Sequence, residues 1–129
     1  MYSRRDFSKL ALADLPLSMA LAEIDSRISG VQIGVQSYSF RDRSLDAAIK
    51  AMVEDGIGEC ELFSPHIEPT QLQVRGGGPP PDPAARAAAR TAAREELRKW
   101  RLNVPLDDIK AVRKKFDDAG IQLFAINVS

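Results

Sequence analysis

After residue 30 the hydrophobic pattern switches back and forth between a period of two and a period near 3.6. Residues 31–40, VQIGVQSYSF, alternate apolar and polar side chains and predict a strand. Ser44 suits a helix N-cap, and Leu45, Ala48, Ile49, Met52 and Val53 then recur on one face of a helix over 45–55, with Gly56 at the C′ position. IGECELF (57–63) predicts a second, short strand. Residues 104–120 repeat the helical pattern. Pro105 fits the first turn, Asp107 and Asp108 its positive dipole end, and Leu106, Ile109, Val112, Phe116 and Ala119 the apolar face, before Gly120 ends it. IQLFAINVS (121–129) predicts a third strand, apolar on both faces as in a covered parallel sheet.

Both helices end in Gly followed at once by Ile and a strand. This repeated αβ unit predicts parallel strands joined by right-handed crossovers, an α/β fold. Three strands and two helices neither close a barrel nor finish a layered sheet. Residues 31–129 are therefore expected to be the first part of a longer β/α array. Its inner face would hold some of Val31, Ile33, Val35, Leu62, Leu123 and Ala125, and exposure of that face would favour self-association.

The stretch 73–101 interrupts the pattern as an insertion between strand two and its helix. It comprises a Gly/Pro loop (73–83) and an Ala/Arg-rich segment of high helix propensity. Arg86, Arg90, Arg94 and Arg98 form one basic stripe. It reads as a solvated face, or alternatively as a patch for an anionic ligand or another part of a complete protein. No aromatic residue is interleaved before Trp100, which argues against nucleic acid.

The N-terminus has its own grammar. SRRDFSK (3–9) precedes an apolar run ending in Ala20-Leu21-Ala22, the order of a charged region, a hydrophobic region and a small-x-small cleavage site. The Arg4-Arg5 pair with Phe7 and Lys9 resembles a twin-arginine export signal. Residues 1–22 are thus expected to be a signal peptide and 23–30 a linker, with a periplasmic or secreted product that has no membrane contact after cleavage. Asp14 inside the run opposes this, and the rival is an amphipathic helix on a cytosolic protein.

Composition adds bounds. The chain has 129 residues, enough for one domain, and 18 Lys and Arg balance 18 Asp and Glu. That balance gives no overall pull toward nucleic acid or anionic lipid. The single cysteine, Cys60, forms neither an intrachain disulfide nor a cysteine-based zinc site.

In parallel α/β folds ligands bind at the C-terminal ends of strands. That rule selects Tyr38, Phe40 and Arg41 after the first strand, Ser64, His66 and Glu68 after the second, and Asn127 and Ser129 at the third. His66, the only histidine, could bind a metal, orient a substrate or move a proton, or be a loop residue without a role. Glu59 and Glu61 alternate with buried positions. One of them is expected to point into an interior, where it needs a partner. No phosphate loop, His-Glu-x-x-His, serine elbow or metal-ligand cluster is present, so no residue is assigned a catalytic or metal-ligating role.

IGVQSYSFRDRSLDAAIKAMVEDGIGECELF and LDDIKAVRKKFDDAGIQLFAINVS resemble the opening of the sugar phosphate isomerase/epimerase family, the xylose isomerase-like TIM barrels. The resemblance covers about residues 31–129 apart from the insertion. It implies the first three units of a (β/α)8 barrel, one divalent metal held by later strands, and proton transfer beside the carbonyl of a sugar or sugar phosphate. It carries over Tyr38, Phe40 and His66, with Asn127, as substrate-pocket wall only. The usual metal ligands and acid/base carboxylates have no counterpart in this chain, which is expected to be an inactive N-terminal fragment. The alternatives are a non-catalytic sugar-binding or oligomerising module, and a metal-dependent phosphodiesterase of the related abasic-site endonuclease branch. The last would need basic residues around His66 and a histidine on strand three.

Overall fold

A computed structural model describes residues 22–73 and 82–128. The stretch expected as an export signal, through residue 21, most of the Gly/Pro loop and Ser129 lie outside the described residues. In chain order the elements are β1 (Arg27–Ile28), β2 (Val31–Gln32), β3 (Val35–Gln36), α1 (Leu45–Glu54), β4 (Glu59–Phe63), α2 (Pro83–Asn103), α3 (Leu106–Asp118) and β5 (Gln122–Asn127). Single 3-10 turns occupy Ser37–Phe40, Ser64–His66 and Thr70–Leu72. β3, β4 and β5 form a parallel sheet in that order, and β1 and β2 an antiparallel hairpin. The domain is therefore α/β.

The Gly-Ile repeat has a concrete local cause. At the end of α1, Gly56 takes φ +70, its N–H reaches the Val53 carbonyl (3.1 Å) and the Ile57 N–H reaches Met52 (2.9 Å). At the end of α3, Gly120 takes φ +73, its N–H reaches Asp117 (3.0 Å) and the Ile121 N–H reaches Phe116 (3.0 Å). Each is a Schellman closure. Glycine supplies the left-handed turn, and the following isoleucine turns inward to open the next strand.

Both helices lie on the same side of the sheet. Leu45, Ala48, Ile49 and Met52 of α1 meet Phe116 and Ala119 at the end of α3 in one cluster with Cys60, Leu62 and Ile121. Lys115 Nζ reaches Asp46 Oδ1 at 2.6 Å across the helix pair. Ser44 caps α1, its hydroxyl accepting the Ala47 N–H at 3.3 Å. Leu106, expected on the buried face of α3, is instead exposed.

Three expectations are corrected. The strand expected over 31–40 is broken. Ile33 is bound to Ser26 through its N–H (3.1 Å), and its carbonyl takes the Ser26 hydroxyl (2.6 Å), which folds Val31–Gln32 into the hairpin. Further on, the Ser37 hydroxyl captures the Phe63 N–H, so the chain leaves the ladder and turns through Ser37–Phe40. The stretch expected as a linker thus supplies half of a hairpin. The inner face is also different. Leu62 is buried in the helix-side cluster and Val35 and Leu123 pack against it, while Gln36 Nε2 donates to Glu61 Oε2 (2.5 Å). Strand alternation around Cys60 and Leu62 sends Glu61 to the side away from the helices, where Gln36 partners it.

α2 lies between β4 and α3, as an inserted helix, and extends two residues beyond the expected end. None of its residues is fully buried. Asp82 caps it, its side chain accepting the Ala85 N–H at 2.9 Å.

Candidate functional site

The turns after β3 and β4 meet at the C-terminal end of the sheet, and Ser37 is their junction. Its side chain is fully buried. Its Oγ accepts the Phe63 N–H at 2.8 Å and lies 2.9 Å from His66 Nδ1. His66 Nε2 lies 3.2 Å from the Phe40 carbonyl, which only accepts. In the neutral ring Nε2 therefore carries the proton, Nδ1 is the acceptor, and the Ser37 O–H points at it. One hydroxyl and one imidazole thus staple the two turns together.

Aromatic and basic side chains stack outward from this staple. The Tyr38 ring meets Phe63 edge-on at 4.9 Å, and Phe63 stands edge-on to His66 at 6.2 Å. The Arg41 guanidinium lies 4.4 Å over the Tyr38 ring and that of Arg43 5.5 Å over Phe40. Beside them opens a cleft of ≈ 400 Å³, whose wall includes Arg41, Arg43, Phe63, His66, Glu68 and Gln73. Arg43 donates to both oxygens of Asp42 at 3.0 Å, and its side-chain hydrogen bond holds the Asp42 carboxyl below the usual carboxylate range.

Glu68 is the buried charge of this region, its side chain 3% exposed. Arg101 of α2 binds its Oε1 through Nε (2.9 Å) and Nη2 (2.6 Å). Gln73 Nε2 bridges the Pro65 and Glu68 carbonyls at 2.6 and 2.9 Å, which fixes the loop that carries the carboxylate.

The structure brings Tyr38, Phe40 and His66 together at this end of the sheet. His66 lines the cleft, Phe40 contributes its carbonyl to the staple while its ring packs on the core, and Tyr38 is half-exposed on the Phe63 ring. Asn127 stands opposite Phe63 in the β4–β5 register, exposed, and makes no hydrogen bond with the others among the described residues. Ser37 and Arg101 were not legible as site residues. Ser37 reads as a strand position, and Arg101 lies 33 residues from its partner on an inserted helix.

The arrangement limits the chemistry. Ser37 and His66 stand at hydrogen-bond distance like a nucleophile and its base, but a buried hydroxyl that already accepts a backbone N–H cannot reach a substrate. His66 has both nitrogens engaged within the chain and would lose a staple bond to ligate a metal. Among the described residues no three His, Cys, Asp or Glu side chains come together as a group that could hold a metal ion. The Cys60 thiol is pushed up to about 12, chiefly by burial.

Comparison with protein-family models, with curated proteins and with solved structures finds no match.

Two outcomes follow from this geometry. Ser37→Ala removes the hydroxyl that accepts the Phe63 N–H and meets His66 Nδ1. It should cost about 1–3 kcal/mol in urea unfolding, with loss of His66 ring-proton protection in NMR; an unchanged midpoint would show that the staple carries no weight. Cys60 should resist iodoacetamide at pH 8 until urea unfolds the chain. The unfolded thiol titrates near 9.0 and the folded one near 12, so the native state holds more protons between them and stability should fall as pH rises through that window. Equal stability at both ends of that window would contradict it.

Proposed function

We propose that residues 31–129 are the opening β/α units of a (β/α)8 barrel of the sugar isomerase/epimerase type, and that the cleft after β3 and β4 forms part of its sugar-binding wall. The observation that carries this reading is the winding. Spatial order equals chain order in β3–β4–β5, and α1 and α3 lie on one side of the sheet. A doubly wound sheet reverses its strand order and moves helices to the other face, whereas a barrel does neither. The Gln36–Glu61 pair on the face without helices suits a polar barrel interior.

The cleft lies at the strand ends where barrel enzymes bind ligands, and it mixes donors (Arg41, Thr70) with acceptors (Glu68, Gln73), as a polyhydroxylated ligand requires. The resemblance assigns the divalent metal and the acid/base carboxylates to later strands. Export rests on Arg4 and Arg5. Changing both to Lys should keep the protein in the cytoplasm, and a mature exported double variant would refute that part.

The test of function is solvent deuterium incorporation beside the carbonyl of a ketose, catalysed by the protein from the complete reading frame with added divalent metal. Incorporation above the metal-only control is expected. Its absence across pentuloses, hexuloses and their phosphates would overturn the enzymatic reading. A second reading, a non-catalytic oligomerising module, is favoured by the exposed Phe124 and Ile126 of β5 and Val128 just after it. It gives concentration-dependent sedimentation without deuterium exchange.

A further inference from the structure

We propose that Glu68 is the ligand-orienting carboxylate of the cleft and that Arg101, brought by the inserted helix α2, is its positioning residue. The inference rests on the reading of the cleft as a site for a polyhydroxylated ligand, and it gives the insertion a role beyond a solvated decoration.

The carboxylate is almost wholly withdrawn from solvent yet lines the cleft. A buried charge without a partner is costly, so its position needs a cause. Arg101 supplies it in an unusual way. Its two hydrogen bonds to the Glu68 carboxylate fall on the same oxygen, Oε1, and Oε2 accepts no hydrogen bond among the described residues. A guanidinium fork placed symmetrically on a carboxylate would occupy both oxygens. This one fixes the group by one oxygen and leaves the other as an acceptor for a ligand. The Gln73 bonds to the Pro65 and Glu68 carbonyls hold the backbone beneath it, so the acceptor is held in place before a ligand arrives.

The neighbours fit the same chemistry. His66 is held in the staple and Asp42 is held by Arg43, so neither competes for a hydroxyl proton. Glu68 Oε2 is the charged acceptor left on the wall. A polyol hydroxyl donating to it makes a charge-assisted hydrogen bond in a partly desolvated place. Arg101 lies outside the stripe of Arg86, Arg90, Arg94 and Arg98, so the residue that matters on α2 is not in its most conspicuous pattern.

Xylitol and its monodeoxy analogues, which have no carbonyl to react, serve as probes in calorimetric titration of the intact protein. The parent should bind xylitol more tightly than the deoxy analogue lacking the recognised hydroxyl. Glu68→Gln should weaken xylitol by about tenfold or more and bind both polyols alike. Arg101→Lys, which keeps the charge but loses the fork, should give a smaller loss in the same direction. Arg98→Met, on the same helix, should change nothing. Circular dichroism melts accompany each variant, and Arg101→Met combined with Glu68→Gln, which removes both charges, should fold and still fail to discriminate. Parent-like xylitol affinity and selectivity in Glu68→Gln would overturn this proposal and leave the cleft reading intact. Parent-like behaviour of Arg101→Lys and of the double variant would remove the positioning role. Failure of the parent to bind any of these polyols would overturn both.

Discussion

Phe116→Ala is expected to destabilise the domain by about 3–5 kcal/mol. Phe116 is the largest of the fully buried side chains and sits where α1, α3 and the sheet meet. It shares one cluster with Met52, Leu62, Cys60 and Ile121, drawn from α1, β4 and the residue just before β5. Its carbonyl also accepts the Ile121 N–H that closes α3, so collapse of the surroundings onto an alanine is restrained by the turn. The change removes apolar contact from both helices at once, against a total stability of only about 5–15 kcal/mol for a typical domain. Urea unfolding followed by tryptophan fluorescence and circular dichroism measures it. A loss below about 1 kcal/mol would mean that the helices are not joined through this residue.

Gly58→Ala is expected to lift the N-terminal segment from the sheet. A Cβ at position 58 would stand 1.8 Å from the Ile24 carbonyl oxygen and 2.8 Å from its carbon, both backbone atoms that no rotamer change can move. Relief requires residues 24–26 to leave, with loss of the Ile24 N–H bond to Gly120 (2.8 Å) and the Gly58 N–H bond to Ser26 Oγ (3.0 Å). The cost should reach or exceed the upper end of the about 1–3 kcal/mol seen for overpacked cores. Hydrogen exchange should quicken in 24–33 while the amides of Phe63 and Ile67, at the other end of the sheet, keep their protection. Uniform loss of protection would show that the hairpin and the cleft do not respond separately.

Much of the scaffold could be read from the chain. The 3.6 period of Leu45, Ala48, Ile49 and Met52, the Ser44 cap and the two Gly-Ile closures are local signals, and each element they define is where periodicity puts it. Parallel pairing followed from the repeated unit. What failed was decided at a distance. VQIGVQSYSF has the alternation of a strand, but Ser26 and Phe63, 7 residues before Ile33 and 26 residues after Ser37, claim its polar groups and break it. Leu62 and Leu123 stood among the candidates for the inner face because alternation does not say which side is covered, and the helices decided that. That Tyr38, Phe40 and His66 share one end of the sheet was accessible because each follows a strand. The staple through Ser37 and the Arg101–Glu68 pair were not, since each joins residues far apart in the chain with no pattern to announce them.

The end of the sheet carrying the staple is the proposed sugar-binding end. A second cleft, of ≈ 340 Å³ beside the hairpin, is lined by Glu23, Asp25, Arg27 and Gln32 among others, and offers polar groups as well. Titration of the isotope-labelled protein with D-fructose, followed by backbone amide shifts, separates the two directly. Saturable shifts confined to 41–45 and 63–73 are the expected result. Shifts centred on 23–32, Gly58 and Gly120, or no saturable shift at any residue, would contradict it.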